Sequence, residues 1–145
     1  MNDPALKGAG DGDLLPVDRS GARQLVGYRS AAAGAGSEGG SCSLEVGPQH
    51  LNRLGLLHGG FVSMLLDNSC GVAIREEIGD LDVPAVTVTL SVNFIAGVGP
   101  GRRVTATGRV TGGGHSLKFA EAELRDDAGR LLATGSATFR LMRSR

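Results

Sequence analysis

The chain has 145 residues, with 15 basic and 15 acidic side chains, so its formal net charge at pH 7 is zero. That balance argues against a primary nucleic-acid binder, and the lack of tryptophan and scarcity of other aromatics argue against base stacking. No apolar run reaches membrane-spanning length and the N-terminus lacks a basic-then-apolar leader pattern, so the expectation is one soluble, cytoplasmic domain with no membrane partner.

Residues 1–20 (MNDPALKGAGDGDLLPVDRS) are rich in Gly, Asp and Pro and read as a flexible arm, with a helical turn near Leu14 and Leu15. The domain proper is expected over 21–145. Residues 23–33 predict a first strand from weak alternation, 34–40 a loop, and 42–46 a short second strand. Residues 48–57 form a loop that leads into the one long helical pattern, from about Gly60 to Glu77. After a turn at 79–84, Val86, Val88, Leu90, Val92 and Phe94 are predicted to face one side of a strand, with Thr87, Thr89, Ser91 and Asn93 on the other. Residues 97–101 turn the chain, 102–111 alternate again, and Gly112–Gly114 break the pattern. A last pair of strands, 117–125 and 130–141, flanks the turn at 126–129. The order β-β-α-β-β-β-β, with consecutive strands joined by short turns, predicts an α+β fold. In it, an antiparallel sheet of about five to six strands wraps around one long central helix.

The helix carries the chemistry. Phe61, Val62, Met64, Leu65, Leu66, Val72, Ala73 and Ile74 recur nearly all round it, so it should be buried. Asp67 stacks with Gly60, Ser63, Met64 and Gly71 at 3.6 residues per turn, a carboxylate on a stripe of small residues. Such a group is costly unless hydrogen-bonded or given a task. At the helix start, unpaired backbone N–H groups and the dipole favour negative charge. Gly59 and Gly60 leave that backbone open, so an N–H there can meet a substrate carbonyl as an oxyanion-type donor.

Eight residues of helix separate Gly59 from Asp67, a span of roughly 12 Å. A carboxylate side chain does not cover that distance. If both groups act on one substrate, Asp67 of one chain must face Gly59 of another, which predicts a homodimer with shared sites. Cys42 and Cys70 match no metal spacing and are expected to be reduced core thiols, with no metal bound. His50 and His115 read as turn residues.

Asn52-x-x-Gly55-x-x-His58-Gly-Gly60, then Asp67, then Thr87-Val-Thr-Leu-Ser-Val-Asn-Phe94, resembles the hotdog-fold acyl-CoA thioesterases. The likeness is greatest to the phenylacetate-pathway (PaaI-like) branch of the 4-hydroxybenzoyl-CoA thioesterase superfamily. Residues 114–123 and 127–133 resemble that family's last strands, and the match spans roughly residues 22–142. The resemblance implies a hotdog fold and hydrolysis of an aryl- or medium-chain acyl-CoA. It gives Gly59 the role of carbonyl polariser, with His58 beside it. Asp67 becomes nucleophile or general base from the opposite subunit, Asn52 places the thioester or water, and Thr87 assists the carboxylate. Gly60, Ser63, Met64 and Asn68 would line the substrate. Coenzyme A is part of the substrate and no other cofactor is implied. A tetramer is common in that family.

Where family members often carry Arg then Pro after the Asn-Phe pair, this chain has Ile95-Ala-Gly97. Arg102, Arg103 or Lys118 would then have to meet the CoA phosphates. Two other readings compete with hydrolysis. A hotdog hydratase or dehydratase would place a catalytic His with a carboxylate in a different local pattern. A non-catalytic acyl-CoA-binding hotdog would keep the pocket and lose the carboxylate.

Overall fold

The computed structural model describes residues 18–32 and 39–143; the arm over 1–17 and its expected turn at Leu14 and Leu15 lie outside them. The elements are α1 (Gly21–Val26), β1 (Arg29–Ala32), β2 (Gly40–Glu45), a 3₁₀ turn (Pro48–His50), α2 (Gly59–Ile78), β3 (Ala85–Phe94), β4 (Arg103–Gly113), β5 (Leu117–Asp126) and β6 (Leu131–Leu141). All six strands form one antiparallel sheet in the order β1-β2-β4-β5-β6-β3. The α+β fold with a sheet packed on one long helix is therefore as the sequence suggests, with four corrections.

The first concerns residues 23–33, where a strand was expected. Ser20 caps a short helix instead, its Oγ accepting the Arg23 N–H at 3.1 Å. Gly27 ends that helix in the left-handed region at φ 85, which only glycine adopts at little cost. Cap and stop override weak alternation, and the strand shrinks to Arg29–Ala32.

The second is the place of β3. It pairs with β6 at the sheet edge and not with its successor β4, so residues 95–102 cross the end of the sheet. The third is its facing. The β3–β6 register slips between Thr87 and Thr89, a one-residue bulge. Beyond it, Leu90 and Val92 pack on the core as predicted, while Phe94, expected on the same face, is 61% exposed; Val86 before the bulge and Val88 within it turn outward, 49% and 55% exposed. A bulge reverses the side on which alternate residues fall. Gly112 likewise does not break β4, which continues to Gly113 through a slip between Val110 and Gly112.

Helix α2 lies across β2, β4 and β5. Leu65, Leu66, Cys70 and Ile74 are fully buried there among Leu44, Val104, Leu124 and Phe139. Full burial of side chains of this size stabilises by about 1.5–3 kcal/mol each. The close approach depends on Gly108 of β4: a Cβ there would stand 2.5 Å from the Ser69 carbonyl oxygen. Any larger residue would push the helix off the sheet.

Candidate active site

Asp67 lies half-buried at mid-helix, on a face of α2 that opens into a cleft of about 380 Å³. Gly60, Ser63 and Met64, expected from their helical spacing, and Asn68, expected from the resemblance, line the same cleft; Gly71, expected on that stripe, is instead buried beside Phe139. Its other walls come from Thr87 and Leu90 of β3 and from Ala22 and Tyr28 around α1. The Thr87 hydroxyl donates to Asp67 Oδ1 at 2.6 Å. Hydrogen bonds to a carboxylate are the stronger kind, so this one fixes the rotamer of Asp67 while leaving Oδ2 available. Thr87 and Leu90 are three residues apart and would face opposite sides of an unbroken strand. The bulge brings both to the helix, and so the pair with Asp67 exists because of it.

Tyr28 closes the cleft next to α1. Its ring is buried and its hydroxyl donates to Asp18 Oδ2 at 2.6 Å. Burial raises the Asp18 carboxyl, but donors from Tyr28 and Ser20 outweigh it and hold the group below 3.8. Burial, then the Asp18 contact, raises the tyrosine hydroxyl. Asp18 and Ser20 thus tie the end of the expected arm to the domain.

The start of α2 faces a second cavity, also about 380 Å³, lined by Asn52, Leu56, Gly59, Val62, Phe94 and Ile95 among others. His58 is the N-cap, its Nδ1 accepting the Gly60 N–H at 2.8 Å. Its carbonyl accepts from Phe61 and Val62. No acceptor among the described residues takes the Gly59 N–H, which is left as the helix's open donor. The Phe94 ring lies over Gly59, 3.2 Å from where a Cβ would stand. Asn52 Oδ1 accepts from the Leu54 and Leu56 N–H groups at 2.9 and 3.2 Å, an Asx-turn that shapes the loop. Asn52 is also one of the residues that line the cavity.

Gly59 and Asp67 therefore open into different cavities of the same chain, in keeping with their spacing along α2.

The three cations expected at CoA phosphates do not converge. Arg102 donates to Asp127 at 2.7 Å and to Asp126 at 3.3 Å, and Arg103 lies near Glu45 and Ser43. The hydrogen bond from Arg102 lowers the Asp127 carboxyl below its ordinary value. Lys118 sits at the other end of the β4–β5 pair, 3.0 Å from Glu77. None of the three lines either cavity.

Sequence reasoning did not find Tyr28, Ala22 or Phe94. The first two depended on α1, which had been read as strand; Phe94 lay in the motif but was assigned only to a sheet face. Among the described residues no three His, Cys, Asp or Glu side chains group as a metal site, and no helix is long and apolar enough to cross a membrane. Cys42 and Cys70 are buried free thiols, burial pushing them up to about 11 and about 12.

An antiparallel sheet packed on one long buried helix is the arrangement of the hotdog fold. The model of the Thioesterase superfamily matches residues 54–133, more than half of the chain, and the protein belongs to that family. It is 30% identical over 98 residues to mouse acyl-coenzyme A thioesterase 13, covering 67% of this chain and 69% of that one. The zebrafish thioesterase superfamily member 2 structure superposes with a TM-score of 0.71 at 31% identity, over 85% of this chain and 87% of that one. The E. coli PaaI protein from the phenylacetic acid degradation operon shares the fold, with a TM-score of 0.75 at 19% identity over 87% of each chain.

Proposed function

We propose that this protein is an acyl-CoA thioesterase that cleaves an aryl- or medium-chain acyl-CoA to the free acid and CoA, and that it works as a homodimer with shared sites. The observation that carries the proposal is the Asp67–Thr87 pair, held at 2.6 Å in a cleft separate from the Gly59 donor of the same chain. The name of the mouse relative supports CoA esters as the substrate class.

In this reading the thioester carbonyl of the substrate accepts the Gly59 N–H of one protomer. The helix start stabilises the negative charge that builds on its oxygen. Asp67 of the other protomer stands at the carbonyl carbon, its Oδ1 kept in place by Thr87. It takes a proton from water, which adds to the carbon, or adds itself and forms an anhydride that water then opens. Either way the C–S bond breaks, sulfur leaves as the CoA thiolate and takes up a proton, and the acid is released. Asn52 presents its amide NH₂ near the carbonyl. His58, with Nδ1 accepting from Gly60, keeps the first turn formed so that the Gly59 N–H stays aimed.

Steady-state release of CoA from a panel of aryl- and alkyl-CoA esters tests this. Turnover by the wild type, lost in folded Asp67→Ala and Asp67→Asn, is the expected result. Binding without turnover would favour an acyl-CoA-binding protein, and full activity in Asp67→Ala would overturn the mechanism. A single turnover in ¹⁸O-water tests the anhydride route, since label enters the Asp67 carboxylate only when water opens an anhydride at the aspartyl carbon.

A further inference from the structure

His50 has no part in the chemistry above and was expected to be a turn residue, yet it is 2% exposed and the most connected side chain of the 47–58 loop. Its Nδ1 accepts the Gly47 N–H at 2.9 Å, which leaves the ring proton on Nε2. That Nε2–H donates to the Val26 carbonyl at 2.8 Å. The His50 carbonyl accepts the His58 N–H at 2.8 Å. The ring meets Phe61 edge-on, with centroids 5.4 Å apart and planes at 83°.

These partners belong to different parts of the site. Val26 is the last residue of α1, the helix that with Tyr28 walls the Asp67 cleft. His58 caps α2 and immediately precedes Gly59; Phe61 lies in the first turn of that helix. The Val26 bond is the side chain's own and spans 24 residues, and α1, at six residues, is too short to hold its orientation alone. We infer that His50 is a positioning residue that locks the α1 wall of the Asp67 cleft to the Gly59 end of α2. The two half-sites that one chain contributes to two different active sites are thereby held as one rigid body. Its effect on turnover rests on the thioesterase reading; the lock itself does not.

Asn and Gln separate the two ring contacts. An Asn amide oxygen reaches the Nδ1 position and can still accept from Gly47, whereas a Gln amide NH₂ reaches the Nε2 position and can still donate to Val26. Hydrogen exchange of the full chain is followed at residues 22–28 and 58–62 in wild type, His50→Asn, His50→Gln and His50→Leu. The lock predicts that exchange rises about tenfold in both segments together in the Asn and Leu variants and stays near wild type in Gln. With CoA esters, kcat should fall roughly 10- to 100-fold in Asn with KM within about twofold, and Gln should recover most of it. Segments that loosen separately, or Asn matching Gln in both readouts, would overturn the lock. Should His50→Leu fail to fold, the Asn–Gln comparison still decides. A wild type that cleaves no CoA ester would sink the thioesterase reading alone, because the exchange pattern judges the lock without any turnover.

Discussion

The two cavities of this chain are of similar size and share helix α2, but they offer opposite chemistry. The cleft at mid-helix holds a carboxylate steadied by a hydroxyl and has small and apolar walls. The cavity at the helix start holds an open backbone donor and an amide, under an aromatic ring, and has no carboxylate. In the mechanism proposed above, each has half of what thioester hydrolysis needs. The difference teaches that, on the proposed mechanism, the equipment is divided along the helix, and a two-fold axis would reunite the halves on one substrate.

The comparison breaks most plainly at Asp67. Asp67→Ala is expected to lower kcat about a thousandfold with the fold intact, read by CoA release and circular dichroism. On the other side, Gly59→Pro deletes the donor while keeping the helix. Proline is tolerated at the first helical position, and His58 already has the extended φ −61, ψ 135 that a following proline requires. Phe94 must shift slightly to admit the ring. A loss of about a hundredfold in kcat is expected. Co-expressing the Asp67→Asn and Gly59→Pro chains under separate tags sharpens the point. A shared site predicts about a quarter of wild-type activity in the statistical mixture, because half of the dimers are mixed and each has one intact site. A site within one chain predicts none.

Smaller effects follow from the supports. Thr87→Val removes one hydrogen bond of about 1 kcal/mol and should cost several-fold in kcat, with KM little changed. His58→Ala removes the cap and should lower stability by about 1 kcal/mol in chemical denaturation. The thiols give the smallest signal. Their folded values, about 11 for Cys42 and about 12 for Cys70, lie above the ordinary 9.0. Unfolding is therefore favoured only once pH climbs past 9, where the unfolded thiols ionise and the buried ones do not. Below that pH, a thiol reagent should find both cysteines slow until the chain is denatured.

Much of this was legible in the sequence because it was local. The 3.6-residue spacing set Gly60, Ser63, Met64 and Asp67 on one face of α2, and they do line one cleft. The spacing of Gly59 from Asp67 already separated the two half-sites. Asn52 was legible in part: its Asx-turn is the ordinary behaviour of a loop asparagine, and the cavity it lines needed the fold. The N-terminal segment misled because weak alternation competed with a serine cap and a glycine stop, and capping won.

By itself the sequence determined the buried helix, its glycine-opened start, the carboxylate two turns on and the alternating strands, since each follows from backbone periodicity over a few residues. The tertiary structure alone decided three things. It put β3 beside β6 instead of β4. It slipped that pairing by one residue, which turned Thr87 onto Asp67 and Val86 and Val88 to solvent. It also buried His50 as the tie between α1 and the helix start. All three depend on which strand or carbonyl lies alongside across a long stretch of chain, and no local spacing encodes that.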